Sequence, residues 1–204
     1  MKKLYITRHG ETNWNLQGKT QGIKNSVLTK RGLLQAKTLA MKLKNENIQG
    51  IYSSDLSRAK STAAIIGGLL GIPYNDSICL REVNFGKWEG LTNDEIIKKY
   101  PIQFQNWRNK PHMFWPPEGE NLKKAQERIV LFIKNLIDVS QKDNLLIVSH
   151  STIIKLFLLY IMDMNLSNFY KLKQSNCCIN VIGFGNYGPV LIKYNDTCHI
   201  KNHS

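Results

Sequence analysis

Short apolar runs alternate with amphipathic segments along this chain, and this alternation predicts an α/β protein. Strands are indicated where apolar residues cluster between turn-forming positions, and helices where apolar residues recur every three or four positions. The predicted strands cover 4–6, 51–54, 74–80 and 145–148, and a hairpin joins 177–184 to 189–194. The predicted helices cover 30–45, 58–70, 93–99, 122–140 and 153–162. The aromatic-rich and proline-rich segment 88–117 otherwise predicts irregular structure.

Charged side chains and histidines follow four of these predicted strands. Arg8 and His9 come directly after the first strand, Arg58 lies in the first turn after the second, Glu82 follows the third, and His150 follows the fourth. Open α/β sheets bind their ligands at the carboxyl ends of the strands. Arginines bind oxyanions bidentately, an imidazole can act as a nucleophile, and a carboxyl group can donate a proton. This set of side chains is suited to phosphoryl transfer through a phosphohistidine.

Simpler interpretations of the same residues remain open at this point. Arg58, with Ser57 as the predicted N-cap, could be a solvated arginine. Glu82 could form a local surface ion pair with Arg81, which would contribute little to stability. The aromatic residues between 100 and 115 could belong to the core or to the wall of a substrate pocket.

The amino-acid composition narrows the classes of molecule that this chain is expected to bind. The chain has 204 residues and a net charge of +13, from 28 Lys and Arg against 15 Asp and Glu. Such an excess favours anionic partners, either phosphorylated metabolites or nucleic acid. The basic residues are scattered, with no Lys/Arg-rich tract, so we expect a small phosphorylated substrate and no nucleic acid. We expect a monomer or a homodimer.

One domain spanning 1–204 is predicted, with 94–121 as an insertion that contributes to the substrate pocket and 196–204 as a frayed tail. The four cysteines lack metal-ligand spacing and indicate free thiols in a reducing compartment, so we expect a cytoplasmic protein. The most apolar stretch, 153–162, is short and contains Lys155, so we expect no membrane span. The four-residue spacing of His199 and His203 would suit a metal ion on a helix. A tail without helical surroundings is the interpretation we favour, so no metal site and no cofactor are predicted.

Six sequence blocks carry a resemblance to a known family. They are Arg8-His9-Gly10-Glu11-Thr12 with Trp14-Asn15, then Gln21-Gly22, the run 52–59, Leu80-Arg81-Glu82, the run 85–90 and Val148-Ser149-His150. Together and in this order they resemble the histidine phosphatase superfamily, also called phosphoglycerate mutase-like. The resemblance extends over nearly the whole chain. It implies a three-layer α/β/α sandwich whose central sheet is mostly parallel, with helices on both faces.

The resemblance also implies a role for each site residue. His9 would be the phosphorylated nucleophile, while Arg8, Arg58 and His150 would bind phosphate. Glu82 would protonate the leaving group and later activate water.

The resemblance also implies further contacts to the phosphate group of the substrate. They would come from Asn15, Gln21 and Gly22. The family usually has Gly after the second histidine, and here Ser151 takes that place. Its side chain would contact or crowd the substrate, while its backbone N–H can still serve.

The compact chain and its block at 85–90 are most similar to the phosphatase branch, which includes α-ribazole phosphatases and broad-specificity phosphatases. A metal-independent phosphomonoesterase is therefore the main functional hypothesis. A phosphoglycerate mutase is the alternative, and a non-catalytic anion or nucleic-acid binder is the alternative from another class. If the segment 100–115 forms the roof of the pocket, its aromatic side chains would favour an apolar or ring-bearing leaving group.

Overall fold

The computed structural model describes residues 1–201, and a six-stranded sheet forms its centre. In chain order the strands are β1 Lys2–Arg8, β2 Gly50–Ser54, β3 Tyr74–Ser77, β4 Asn144–Ser149, β5 Ile179–Gly185 and β6 Gly188–Asp196. Across the sheet the order is β3-β2-β4-β1-β5-β6. The first four strands in this order run parallel, whereas β5 pairs antiparallel with both β1 and β6. The mostly parallel sheet and the hairpin predicted from the sequence are both confirmed.

Helices cover both faces of this sheet. In chain order they are α1 Asn13–Leu16, α2 Lys30–Leu43, α3 Ser57–Leu70, α4 Asn93–Lys99, α5 Pro101–Asn109, α6 Leu122–Val139, α7 Ser151–Ile161 and α8 Cys198–Lys201. Successive side chains of a strand point to opposite faces. Leu4 and Ile6 of β1 accordingly pack in a core with α6 and α7, while Tyr5 packs in a second core with α2 and α3. The predicted three-layer sandwich is therefore confirmed.

The structure differs from the sequence prediction in the segment 88–117. Residues 101–109 form the helix α5, which begins with a proline in its first turn. Proline fits there because its missing N–H would be unpaired in any case. The helix is stabilised by tertiary packing of Trp107, which is buried in the core, and this contact has no local signal in the sequence.

Smaller differences concern the ends of predicted elements. β3 ends at Ser77, and a 3-10 turn over residues 78–80 leads to Glu82. The N-cap of α3 is Leu56 rather than Ser57, and it makes no side-chain capping bond. Instead, the carbonyl oxygen of the Asn25 side chain accepts a hydrogen bond from the Ser57 amide at 3.1 Å. The capping group therefore comes from a distant loop, which a local rule does not detect.

The expectation of a frayed tail from residue 196 is wrong for the residues that the structure describes. Asp196 ends β6, and Cys198–Lys201 form α8. His199 Nε2 lies 3.0 Å from the carbonyl oxygen of Cys177, and Ile200 packs against the core that contains Tyr5. His203 lies outside the described residues, so the spacing of the two histidines has no structural counterpart here. Between residues 1 and 201, no helix has both the length and the apolar character that crossing a bilayer requires.

Candidate active site

The strand order brings all five predicted catalytic residues to one edge of the sheet. β1 and β4 are parallel neighbours, and the backbone N–H of His9 donates to the carbonyl oxygen of Ser149 at 3.0 Å. His9 and His150 therefore lie side by side, with their ring centroids 5.2 Å apart. Arg58 reaches them from the first turn of α3, and Glu82 from the turn that follows β3.

The hydrogen bonds of His9 leave Nε2 as the unprotonated ring nitrogen. Nδ1 lies 2.7 Å from the carbonyl oxygen of Gly10, which can only accept, so Nδ1 carries the proton. Nε2 accepts a hydrogen bond from Nε of Arg58 at 3.3 Å. We assign this tautomer from its partners. It directs a lone pair of a buried imidazole toward the guanidinium, where a bound phosphoryl group would be attacked.

Burial keeps both histidines neutral. It lowers the pKa of His9 well below 6.5, and the positive charges of Arg58 and Arg8 lower it further. The pKa of His150 is lowered in the same way, first by burial and then by Arg58, His9 and Arg8. Neither ring nitrogen of His150 has a hydrogen-bond partner within residues 1–201. A buried imidazole with two unpaired nitrogens can bind an oxyanion ligand.

The two arginines form a cationic pocket that has no carboxylate salt bridge in the described chain. Arg58 is only 1% exposed, and burial lowers its pKa to about 10, so it stays charged at neutral pH. Its other nitrogens donate to the carbonyl oxygens of Lys24 and Gly22, at 2.7 and 2.6 Å. Arg8 donates to the carbonyl oxygen of Gln174 at 2.9 Å, and its buried Nε is unpaired. The pocket is therefore preorganised for an anion such as phosphate.

Glu82 does not form the surface ion pair that the sequence left open, because Arg81 pairs with Asp55 instead. Its carboxyl group is buried and accepts hydrogen bonds from the N-terminus of α7. The Thr152 amide donates to Oε2 at 3.2 Å, and the Ile153 amide donates to Oε1 at 3.3 Å. These bonds fix the carboxyl group within one turn of His150, the N-cap of α7.

The loop that holds Arg58 depends on Glu89, which the sequence indicated only as part of a motif. The Glu89 carboxylate is buried and accepts hydrogen bonds from the amides of Ile23 and Lys24, at 2.8 and 3.2 Å. Gly22 has a φ of +55°, and a Cβ there would overlap with the Glu89 carboxylate. Gly22 thus acts through its carbonyl oxygen on Arg58, and no side chain fits at this position.

The other residues that were predicted to contact the substrate lie near the site. The hydrogen bonds of Asn15 in the structure join it to other protein groups. Oδ1 of Asn15 accepts from the Thr12 amide and from Nδ2 of Asn176, both at 3.2 Å. Asn176 also donates to the carbonyl oxygen of His9 at 3.0 Å. Asn176 was missed because it comes from the loop before β5, far from any motif. Oε1 of Gln21 is buried and has no hydrogen-bond partner among the described residues, and Ser151 lies half-buried as the first residue of α7.

A cavity of about 200 Å³ lies near the site, and residues of the aromatic segment both belong to the core and line this cavity. Trp88 and Trp107 are core residues that also line this cavity, while Trp115 is 51% exposed and does not. The cavity meets the catalytic residues at Thr152, whose amide binds Glu82. A larger cavity of about 390 Å³ is lined by Arg8 but, like the smaller one, by neither histidine nor by Arg58 or Glu82. The smaller cavity is the candidate leaving-group pocket because Thr152, one of its lining residues, donates its amide to the carboxyl group of Glu82.

Acidification should destabilise the fold through the two buried histidines. Their pKa values are lower in the folded chain than the 6.5 of an exposed histidine, so the unfolded chain takes up protons first and stability falls as pH drops below 6.5. Between pH 6.5 and 5.5 we expect a loss of about 1 kcal/mol per histidine in the free energy of unfolding. Urea unfolding of the wild type and of His150→Asn should show that the variant loses about 1 kcal/mol less. Equal losses in both proteins would contradict this prediction.

Known proteins match this chain over nearly its full length. The model of the "Histidine phosphatase superfamily (branch 1)" matches residues 4–197. Phosphoserine phosphatase 1 of Hydrogenobacter thermophilus is 31% identical over 200 residues, which are 98% of this chain and 95% of that protein. The "Probable phosphoglycerate mutase GpmB" of Escherichia coli O1:K1 is 31% identical over 188 residues, covering 90% of this chain and 86% of that one.

Solved structures show the same architecture. YhfR of Bacillus stearothermophilus superposes with a TM-score of 0.93 at 31% identity, and the match covers 98% of this chain and 100% of that one. The α-ribazole phosphatase of Shigella flexneri superposes with a TM-score of 0.87 at 26% identity, and the match covers 95% of this chain and 96% of that one.

Proposed function

The chain belongs to branch 1 of the histidine phosphatase superfamily and is a phosphatase; from this premise we propose that it hydrolyses phosphomonoesters through a phosphohistidine on His9. The observation that carries the proposal is the buried Nε2 of His9, unprotonated and bonded to Nε of Arg58 at 3.3 Å. A nucleophile and an anion-binding group thus meet at one point. Small phosphorylated metabolites are the proposed substrates.

In the first step, Nε2 of His9 attacks phosphorus while the ester P–O bond breaks. Arg8, Arg58 and His150 bind the equatorial oxygens, which carry the negative charge in the transition state. The leaving oxygen takes a proton from the carboxyl group of Glu82. General acid catalysis of this kind contributes roughly 10²–10⁴-fold in rate.

In the second step, water attacks the phosphohistidine and the P–N bond breaks. Glu82, now a carboxylate, accepts the proton that the water gives up. Phosphate leaves, Nε2 regains its lone pair, and Glu82 is protonated again. The hydrogen bonds from α7 hold the carboxyl group in place through both steps.

The phosphate-binding cations in this proposal are arginines, so we propose that no metal ion is needed. Mixing the enzyme with an aryl phosphate and quenching in alkali should trap acid-labile phosphate on the peptide that contains His9. Turnover in excess chelator should equal turnover without it. Hydrolysis with no trapped phosphoenzyme, or loss of activity on chelation, would contradict the proposal.

A phosphoglycerate mutase is the second candidate, and the similarity to GpmB favours it. A mutase returns the phosphoryl group to another hydroxyl of the substrate, whereas a phosphatase gives it to water. Following 2- and 3-phosphoglycerate together with released phosphate separates the two. We expect phosphate release to be faster than interconversion, and the reverse would make the chain a mutase.

The names of the similar proteins suggest two kinds of leaving group. One is the ring-bearing alcohol of α-ribazole phosphate, and the other is the small amino acid serine. Both fit the chemistry above, because the phosphoryl group is the same in each. The size and the lining of the cavity that takes the leaving group would decide between these two leaving groups.

A further inference from the structure

Arg128 binds the stretch of backbone that leads into Glu82. After β3 ends, a 3-10 turn covers residues 78–80, and the last carbonyl groups of such a turn have no partner within it. Nη1 of Arg128, on α6, donates to the carbonyl oxygens of Cys79 and Arg81, at 2.8 and 3.0 Å. One guanidinium nitrogen therefore binds two backbone groups, and the second belongs to the residue directly before Glu82.

Ser149 binds the carbonyl group that lies between these two. Its buried Oγ donates to the carbonyl oxygen of Leu80 at 2.8 Å, and Ser149 is the last residue of β4, directly before His150. Arg128 and Ser149 together bind the three consecutive carbonyl groups that precede Glu82. The turn is thereby joined to α6 and to the strand that leads to His150.

Glu120 holds Arg128 in place and also contacts the chain after Glu82. Nε and Nη2 of Arg128 donate to the Glu120 carboxylate at 3.0–3.3 Å, with Nη2 bonded to both oxygens. The backbone N–H of Glu120 donates to the carbonyl oxygen of Asn84 at 2.7 Å. The planar guanidinium uses one edge for a carboxylate and its remaining nitrogen for carbonyl groups. The ion pair thus fixes the backbone on both sides of Glu82.

The position of the Glu82 backbone matters for a proton donor. The carboxyl group must come within hydrogen-bond reach of the leaving oxygen, and an error of about 1 Å in such a position can cost about 10²-fold in rate. The amides of α7 bind the carboxyl end of this side chain. Arg128 and Ser149 constrain its other end, because they bind the residues from which it extends.

We propose that Arg128 and Ser149 are positioning residues for proton donation by Glu82, and that they act through the carbonyl groups of residues 79–81. This inference rests on the proposed function. Neither side chain has to touch the phosphoryl group in this role. A residue that only stabilised the fold would affect all substrates alike, whereas a positioning residue affects the substrates whose leaving oxygen needs a proton.

Two aromatic phosphate esters distinguish these effects. Benzyl phosphate has an alkoxide leaving group that needs a proton, whereas p-nitrophenyl phosphate releases nitrophenolate without one. Since kcat/KM covers the steps up to the phosphoenzyme, the ratio of kcat/KM for p-nitrophenyl phosphate to that for benzyl phosphate reports proton donation. In Arg128→Gln and in Ser149→Ala this ratio should rise about tenfold, because kcat/KM should fall about tenfold for benzyl phosphate alone.

Two further variants of α6 serve as controls. Lys124→Gln removes a positive charge from an exposed residue of this helix. Leu136→Ala removes core atoms about two turns beyond Arg128, so it should lower the midpoint of urea unfolding without touching the turn before Glu82. Both should keep the wild-type ratio. Ser149→Ala deletes a single hydroxyl oxygen and decides the test if Arg128→Gln does not fold.

The possible results separate this inference from the function on which it rests. A wild-type ratio in Ser149→Ala and in folded Arg128→Gln, in an enzyme that forms the phosphohistidine, would overturn the inference and leave the proposed function intact. A rise of equal size in Lys124→Gln or Leu136→Ala would also overturn it, since the ratio would then report charge or stability. Absence of a phosphoenzyme in the wild type would overturn the proposed function itself.

Discussion

His9→Ala should reduce kcat for an aryl phosphate by at least about 10⁴-fold, because it removes the atom that becomes bonded to phosphorus in the proposed mechanism. Nε2 of His9 is the ring nitrogen that lies 3.3 Å from Nε of Arg58, and no alanine atom can replace it. Steady-state kinetics checks the loss. The same variant should also show no acid-labile phosphate after an alkaline quench.

Measuring the binding of phosphate to His9→Ala distinguishes loss of the nucleophile from loss of the whole phosphate-binding site. Arg8, Arg58 and His150 remain in His9→Ala, so inorganic phosphate should still bind, as calorimetry would show. His199→Ala is the matched control, since Nε2 of His199 contacts the backbone carbonyl oxygen of Cys177 rather than a catalytic side chain. It should retain wild-type turnover. Turnover of His9→Ala within about tenfold of the wild type would refute the phosphohistidine mechanism.

Glu82→Gln should reduce kcat by roughly 10²–10⁴-fold for an alkyl phosphate, which needs a proton on its leaving oxygen. With p-nitrophenyl phosphate the first step should be less affected, since nitrophenolate leaves without protonation. The second step still lacks its base. Phosphohistidine should therefore accumulate as a burst in this variant, and rapid-quench kinetics with both substrates would detect it.

Damage to the fold would also reduce the activity of Glu82→Gln, and this explanation can be tested in the same experiments. Glu82 accepts hydrogen bonds from the amides of Thr152 and Ile153, and the side-chain amide introduced by Glu82→Gln keeps one of the two oxygen acceptors. A small loss of stability is expected, without a change of fold. Glu118→Gln removes a carboxylate from an exposed pair with Lys87 and serves as the control. The burst rate reports the first step alone, so equal losses of the burst rate on alkyl and aryl phosphates in Glu82→Gln would contradict the role of proton donor.

The strands, the long helices and the catalytic set could be predicted because each leaves a local trace. Apolar runs mark the buried strands, and the side chains needed for phosphoryl transfer follow them directly in the sequence. Once the sheet is parallel, strand ends that are far apart in the chain must meet at one edge. This is why Arg8, His9 and His150 could be placed together from the sequence.

The supporting residues could not be predicted in this way. Glu89 holds the loop that binds Arg58, and Asn176 binds the carbonyl oxygen of His9, but each acts on a segment far away in the sequence. Asn25 likewise supplies a capping group to α3 from another loop. Hydrophobic periodicity and capping rules read neighbours along the chain, so contacts across the fold leave no such pattern.

The segment 88–117 likewise combines features that the sequence predicted with contacts that only the folded chain shows. Its composition indicated aromatic residues near a pocket and suggested an apolar or ring-bearing leaving group. The tertiary structure shows that Trp88 and Trp107 of this segment are buried in the core and also line the cavity of about 200 Å³, a placement that depends on contacts across the fold.

By itself the sequence determined the fold class and the family, because both depend on residue types in a local order. Only the tertiary structure decided which nitrogen of His9 is unprotonated, which groups hold Arg58, and which amides bind Glu82. These depend on distances between segments that only folding brings together.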